Sequence, residues 1–168
     1  MKLILLFFVF CFCLLSCYSQ SAEEFSKSAA NKLQKLHDYP GAIADYTKAI
    51  AINPKDEWLY LGRGISESRN KDYIRAAEDY DKAIELNPQF AEAYCGRGNL
   101  EGRLMKNKEA ISDFDKSIEI NPKYSEPYLG RGLVKVSTND KENGCIDLKK
   151  ALDLGSQYAA EIISKFCK

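Results

Sequence analysis

The sequence repeats itself every 34 residues, and this period constrains the fold more than any other feature. Three kinds of motif share it: an Asn-Pro pair, a Gly-Arg-Gly triplet, and a tyrosine two residues before each triplet. The pairs begin at Asn53, Asn87 and Asn121, the triplets begin at Gly62, Gly96 and Gly130, and the tyrosines are Tyr60, Tyr94 and Tyr128. Motifs that keep one phase over three copies indicate a single supersecondary unit that is used several times.

Each unit has the residue spacing of two α-helices. Ala76, Tyr80, Ala83 and Ile84 show this, because they lie three to four residues apart and would share one helix face. Proline lacks the amide that continues a helix, and it moves the residue before it out of the α conformation. Each Asn-Pro pair is therefore predicted to end one helix and precede the next, and polar stretches at 69–72 and 105–107 are predicted to separate the two helices of a unit.

The order Tyr-x-Gly-Arg-Gly, alanine, aromatic residue, alanine and Asn-Pro resembles the tetratricopeptide repeat over about residues 22–155. The family's marker positions fall on Gly64, Ala76, Tyr80, Ala83 and Pro88 in one unit, and on Gly98, Ala110, Phe114, Ser117 and Pro122 in the next. The resemblance implies an all-α fold, a right-handed α-solenoid of antiparallel helical hairpins (a TPR superhelix) with a C-terminal capping helix. Glycine and alanine would let two helices approach closely, and the aromatic residue would fill the groove between neighbouring hairpins.

The ends of the array depart from this pattern. We expect a signal peptide over 1–19, a degenerate first repeat over 20–54, repeats over 55–88 and 89–122, a divergent last repeat over 123–155, and a capping helix over 156–168. Gly155 replaces the proline of the last unit and is predicted to stop its second helix. The final segment carries an apolar stripe that is predicted to cover the last repeat. Its residues are Tyr158, Ala159, Ile162, Ile163 and Phe166.

The N-terminal stretch is typical of a secretory signal peptide. Lys2 is followed by an apolar run from Leu3 to Leu15, which is shorter than the roughly 20 residues that span a bilayer. Two processing routes stay open, cleavage after Ser19 or lipidation at Cys17, where the sequence resembles a bacterial lipoprotein box. Both routes place the folded part outside the cytoplasm, as a periplasmic, secreted or membrane-anchored protein. The mass of the mature N-terminus separates them.

Three of the six cysteines follow the predicted signal peptide: Cys95, Cys145 and Cys167. If the last two helices turn back at Gly155-Ser156, residues equidistant from that turn face each other, and Cys145 and Cys167 are each 11 residues from Ser156. Because an oxidising compartment permits pairing, we predict a Cys145–Cys167 disulfide that staples the cap, the alternative being two small buried residues. No histidine or second cysteine pair stands nearby, so no metal site is expected.

Charged residues also follow the period. The arginines are Arg63, Arg97 and Arg131, and the aspartates are Asp45, Asp79, Asp113 and Asp147. The arginines can be interpreted as a basic ladder for a ligand, but the matching aspartates favour ion pairs within the fold. Since the first unit has the aspartate without the arginine, we expect each aspartate to pair with the arginine of the following unit. The expected pairs are Asp45 with Arg63, Asp79 with Arg97, and Asp113 with Arg131.

The resemblance also implies a binding surface, because the first helices of such hairpins line a concave groove. The residues expected to bind a peptide there are Lys27, Asn31, Trp58, Leu61, Ile65, Cys95, Asn99, Leu129 and Leu133. Relatives that hold chaperone tails grip a carboxylate with a clamp of lysine, asparagine and arginine. Lys27 and Asn31 match the first pair, but Gly62, Glu92 and Gly96 occupy the other positions. An apolar or mixed peptide with Trp58 as its anchor is therefore expected, packing between repeats being the alternative role for these apolar residues.

The composition argues against several classes of function. The 24 basic and 24 acidic side chains cancel, so the positive field that nucleic-acid binding needs is absent. The single histidine, His37, is predicted to lie in a turn without a nucleophile or metal beside it, and no phosphate-binding glycine loop is present, so neither an enzyme nor a cofactor is expected.

A protein–protein interaction module is expected instead, an adaptor or scaffold that binds a peptide segment of an envelope or secreted partner. The alternative is a structural component of a self-assembling or multi-protein envelope complex that uses its convex face or repeat edges. Membrane contact is expected only through the possible lipid anchor. Neither the partner's identity nor the oligomeric state follows from the sequence.

Overall fold

Every regular element in the part of the chain that the computed structural model describes, residues 21–167, is helical. The signal peptide predicted over 1–19 and the lipidation predicted at Cys17 lie outside the described residues. Within residues 21–167, no helix has the length and apolar character needed to cross a membrane.

Nine helices follow one another in this range, and their bounds keep the period of the sequence. Helix α1 covers residues 21–31 and continues into a π-helical turn, Lys32–Leu36. The others are α2 (Tyr39–Ile52), α3 (Glu57–Arg69), α4 (Tyr73–Leu86), α5 (Ala91–Arg103), α6 (Asn107–Ile120), α7 (Ser125–Ser137), α8 (Lys141–Asp153) and α9 (Gln157–Phe166). The prediction of two helices per unit is confirmed, with helix ends close to the predicted ones.

The Asn-Pro pairs end helices as predicted. The amides of Asn53, Asn87 and Asn121 each donate the last helical hydrogen bond, to carbonyl oxygens four residues earlier, and the following proline cannot continue the ladder. The Asn87 and Asn121 side chains also accept from the amides two residues on, at 3.0 and 3.2 Å. The asparagine therefore closes one helix and shapes the turn before the next.

The other turns use a backbone feature that the sequence does not reveal. Four residues that are 34 apart have a left-handed conformation, with φ between 52° and 68°: His37, Lys71, Met105 and Asn139. At the last three, the amide of the next residue donates to a carbonyl five residues back, in each case at 2.9 Å, which satisfies a carbonyl at the end of the helix. Gly155, with φ 95°, follows the end of α8, where it was predicted to stop the helix.

The chain divides into two compact units, the boundary following Asp79. In the first unit, Tyr46 and Ala49 of α2 pack with Ala29 of α1 and Leu59 of α3. Tyr46 also lies against Gly62 of α3, so closely that a Cβ built on Gly62 would be 2.6 Å from the Tyr46 Cε1. The ring of one repeat therefore occupies the space that a glycine leaves in the next.

The second unit repeats this contact twice. A Cβ on Gly96 would be 2.8 Å from Cε1 of Tyr80, and one on Gly130 would be 2.7 Å from Cε1 of Phe114. Phe114 is fully buried and also faces Gly98 of its own hairpin, where a Cβ would meet Cε1 at 3.0 Å. The prediction that the aromatic residue is wedged between neighbouring hairpins is confirmed at Phe114.

The prediction for the capping helix is right about its existence and partly wrong about its face. Helix α9 packs on α8, with Ala159 fully buried and Ile162 and Ile163 half-buried. Tyr158 is 74% exposed and Phe166 is also exposed, so they do not cover the last repeat. The helix is too short for all five apolar residues to reach one narrow contact, and the outer two point to solvent.

Cys145 in α8 and Cys167, which directly follows α9, are joined as a disulfide, with their Cα atoms 5.7 Å apart. Cys95 is free and buried. The all-α class and the packing of successive helices are confirmed within residues 21–167, whereas the repeat boundaries that we drew from the sequence stay predictions.

Two glycines of α5 test the aromatic contact. Gly96→Ala should lower the free energy of unfolding by about 1–3 kcal/mol, because the new methyl overlaps the buried Tyr80 ring. Gly102→Ala is the matched control in the same helix, since its methyl meets Val134 and Ala110 at ordinary distances of 3.4 and 4.0 Å, and alanine favours helix by up to about 1 kcal/mol. Urea denaturation measures both. Equal effects from the two substitutions would contradict the contact.

Candidate functional site

The first unit presents its predicted binding residues on α1 and α3. Trp58 is 56% exposed and Ile65 is half-buried, so both offer apolar area to solvent. Leu61 lies between them in the sequence and is only 6% exposed. Its assignment to an open groove is therefore wrong. The helical spacing predicts that Leu61 shares a helix face with Trp58, but the fold buries Leu61 while it leaves Trp58 exposed.

Lys27 and Asn31 are exposed on α1, where the sequence placed them. The Lys27 Nζ pairs with the Glu23 carboxylate of the same helix at 2.5 Å, and both side chains are largely exposed. An exposed pair of this kind exchanges easily with other charges, so Lys27 stays available to a ligand. That Lys27 and Asn31 bind a peptide stays a prediction.

The second unit presents its predicted residues on α5 and α7, which pack against each other. Leu133 and Asn99 are exposed and Leu129 is half-buried. Cys95 is only 2% exposed and packs in the core with Ala110, Phe114 and Val134, so its assignment to the groove is wrong. A position that faces the next first helix is buried by it, and helical spacing within one repeat does not show this.

The Cys95 thiol has two hydrogen-bond partners that the sequence pattern does not reveal, and one of them is Asn99, whose Nδ2 donates to the Sγ at 3.7 Å. Tyr124, in the turn before α7, is a hydrogen-bond partner of the thiol, and burial raises the pKa of Cys95 to about 12. Burial also raises the pKa of Tyr124. The carboxylates of Glu92 and Glu126 act on both groups, and neither has an ion-pair partner within residues 21–167. This end of the α5–α7 surface is therefore negatively charged, beside the apolar Leu129 and Leu133.

The arginine ladder is structural, but the predicted pairs are wrong. Arg63, Arg97 and Arg131 each donate two hydrogen bonds to the aspartate 16 residues on, in the same repeat, at 2.6–2.9 Å. Those aspartates are Asp79, Asp113 and Asp147. Asp45, which has no arginine in its own repeat, accepts from Lys32 and Ser28 instead, and these hydrogen bonds lower the pKa of Asp45.

A link to the preceding repeat does exist, through a different residue. The third guanidinium donor of each arginine reaches a side chain two positions after the preceding repeat's aspartate. The acceptors are Thr47 for Arg63 at 3.2 Å, Asp81 for Arg97 at 2.6 Å, and Asp115 for Arg131. Thr47, Asp81 and Asp115 are also 34 residues apart, so the period alone could have identified them.

Two glutamates, each with one buried carboxylate oxygen, interact with the aspartates of this ladder. Glu67 is 4% exposed and Glu101 is half-buried, and each has one oxygen, Oε2, that is buried without a hydrogen-bond partner among the described residues. Burial, together with the charge of Asp79, raises the pKa of Glu67 from 4.5 to about 8. Burial and the charge of Asp113 raise the pKa of Glu101 to about 7. In the last repeat the same position is Lys135, which donates to Asp147 at 2.8 Å.

The described residues form no group of three or more His, Cys, Asp or Glu side chains that could hold a metal ion. His37 is exposed and lies at the end of the π-helical turn, as predicted. Two exposed surfaces are named here by their residues: the α3 surface (Trp58, Ile65) and the α5–α7 surface (Glu92, Asn99, Glu126, Leu129, Leu133).

Family models match the chain in two overlapping segments. A tetratricopeptide repeat model matches residues 91–124, and a second TPR repeat model matches residues 69–104. No curated protein matches the chain in sequence.

Solved structures show the same fold. The first TPR of Spaghetti (RPAP3), bound to the HSP90 peptide SRMEEVD, is 26% identical over 72% of this chain and 95% of that chain, with a TM-score of 0.67. The thermophilic TPR protein TTC0263 of Thermus thermophilus is 19% identical over 80% of this chain and 74% of that one, with a TM-score of 0.74. MamA is 21% identical over 88% of this chain and 85% of that one, with a TM-score of 0.70.

The buried carboxylates predict an unusual dependence of stability on pH. The folded protein keeps a proton on Glu67 that the unfolded chain releases above its ordinary pKa of 4.5, so stability falls as the pH rises from about 4.5 through about 8. Arg63 opposes this effect, and Asp79 and Asp72 reinforce it. Urea denaturation should give a free energy of unfolding at least about 1 kcal/mol lower at pH 8 than at pH 5.

The variant Glu67→Gln with Glu101→Gln should remove most of this difference, because an amide has no proton to lose. Glu24→Gln, a change at an exposed carboxylate, is the control and should leave the profile as it is. A wild-type protein that is equally stable at the two pH values would show that the buried carboxylates are not protonated in the fold.

Proposed function

Since the chain is a tetratricopeptide-repeat protein, we propose that it is a protein-interaction module that binds a peptide segment of a partner on the exposed surfaces of its first helices. The observation that carries the proposal is Trp58, a large apolar side chain that the fold leaves 56% exposed. Aromatic anchors contribute much of the binding energy of interfaces. A similar structure, the first TPR of Spaghetti, is bound to a peptide, which supports this mode of recognition.

The charges on the α5–α7 surface indicate the chemistry of a peptide that binds there. Glu92 and Glu126 flank apolar area from Leu129 and Leu133, so a segment with aliphatic or aromatic residues next to lysine or arginine is complementary. An acidic segment would bring like charges together. The peptide SRMEEVD, which the Spaghetti domain binds, is acidic near its end. We therefore infer that the α5–α7 surface does not bind that peptide.

The cellular setting is part of the proposal. The apolar run from Leu3 to Leu15 after Lys2 supports export, with processing after Ser19 or lipidation at Cys17. The partner would then be an envelope or secreted protein. Fractionation of cells, followed by mass measurement of the mature chain, tests this location, and an unprocessed chain in the cytoplasmic fraction would contradict it.

A second candidate function is a structural role in a larger assembly. It is favoured by the exposed apolar residues away from the first helices, Ile74 on α4 and Tyr158 on α9. In that case the protein should self-associate at micromolar concentration, which light scattering coupled to size exclusion measures. A protein that stays monomeric while binding peptides through Trp58 favours the first function.

Trp58 is also the single tryptophan of the chain, so its fluorescence reports directly on binding. We expect peptides that are selected from a random library for a shift in this emission to be rich in apolar residues. Trp58→Ala should weaken their binding at least tenfold, as expected for an aromatic anchor. Ile74→Ala, an exposed apolar side chain of α4, is the matched control and should keep the affinity within about twofold.

Affinities of the variants are measured by anisotropy of labelled peptides, and circular dichroism confirms that both variants stay folded. Leu61 is unsuitable for this test because it is buried, so its loss would disturb the fold. Selected peptides that bind Trp58→Ala as well as wild type would contradict the proposal.

A further inference from the structure

The C-terminal helix α9 has little packing to hold it. It has ten residues, and an isolated helix of that length is only marginally stable in water. Ala159 is its one fully buried side chain, Ile162 and Ile163 are half-buried, and Tyr158 and Phe166 are exposed. By comparison, α8 buries Leu148 and Ala151 completely and is tied to α7 through Arg131 and Asp147.

The disulfide connects α9, which has little packing, to the well-packed helix α8. Cys145 lies in α8, and Cys167 is the residue that directly follows α9, so the bond closes a loop of sequence separation 22 that contains the whole of α9. Together with the turn at Gly155, it fixes both ends of α9. Closing such a loop removes many conformations of an unfolded α9, which favours the docked helix.

The bond is also accessible to a reductant. Both cysteines are half-buried and line an open pocket of about 570 Å³ with Lys141, Glu142, Ile146 and Lys149. Lysine side chains near a disulfide favour the thiolate forms that attack it and that leave it. Cys95, in contrast, is buried with a pKa raised to about 12, so it does not compete as a nucleophile.

We propose that the Cys145–Cys167 disulfide is a site of thiol–disulfide exchange that controls the folding of α9. One thiolate of a dithiol reductant attacks a sulfur of the pair, the S–S bond breaks, and a mixed disulfide forms while the other cysteine takes up a proton. The second thiol of the reductant then attacks the mixed disulfide and releases the remaining cysteine as a thiol. The reductant becomes a disulfide, two electrons pass to the cysteines, α9 unfolds, and the hairpin of α7 and α8 stays folded.

Hydrogen exchange of the full processed chain, with and without dithiothreitol, tests this proposal. Intact mass first establishes the redox state of Cys145 and Cys167. On reduction, the amides of residues 157–166 should exchange at least tenfold faster, and those of α8 and of α5–α6 should change less than twofold. The variant Cys145→Ser with Cys167→Ser should show the fast exchange of α9 without any reductant. Cys95→Ser is the matched control and should exchange like the oxidised wild-type protein.

Three results would overturn the proposal. The first is a purified chain from an oxidising compartment in which both cysteines are free thiols. The second is a reduced chain in which α9 remains as protected as before. The third is a loss of protection in α8 together with α9, because the bond would then hold the whole hairpin and not the helix alone.

Discussion

The contact between an aromatic ring and a glycine of the next repeat is the constraint on which the rest of the structure depends. Tyr46 meets Gly62 in the first unit, and Tyr80 meets Gly96 and Phe114 meets Gly130 in the second. Since the glycine has no side chain, the ring can lie on its backbone, which sets how closely successive repeats approach. The close approach then buries Cys95 and brings α5 and α7 together, so that their outer residues form one surface. The binding surface is thus a consequence of this packing.

The arginine ladder links each hairpin to the preceding repeat. Each arginine holds the aspartate of its own hairpin with two donors and reaches the preceding repeat with a third, so it fixes both the hairpin and its neighbour. Burial and the charges of Asp79 and Asp113 raise the pKa values of Glu67 and Glu101, whereas Lys135 has the same position in the last repeat and donates to Asp147. Because the ladder uses the arginines internally, they do not offset the carboxylates of Glu92 and Glu126 on the α5–α7 surface.

Much of the fold could be predicted from the sequence, because it rests on local rules that repeat. The helix ends at the Asn-Pro pairs, the stop at Gly155 and the place of Phe114 follow from residue type and spacing alone. What failed depends on neighbours: Leu61 and Cys95 have the spacing of groove residues, yet an adjacent helix covers Cys95. The partners of the aspartates were predicted wrongly. The 34-residue period shows that arginines and aspartates recur together, but it does not show whether an arginine pairs within its own repeat or with a neighbouring one. The left-handed residues, such as Met105, were missed because none is glycine.

A double-mutant cycle on Phe114 and Gly130 tests the ring-on-glycine contact most directly. Unfolding free energies are measured for Phe114→Leu, Gly130→Ala, the double variant and the wild type. The account predicts that Gly130→Ala costs at least about 1 kcal/mol less when Phe114 has been replaced, because the smaller side chain makes room for the methyl. Costs that add within about 0.5 kcal/mol would show that the two residues do not touch, and would contradict the account of how the repeats pack.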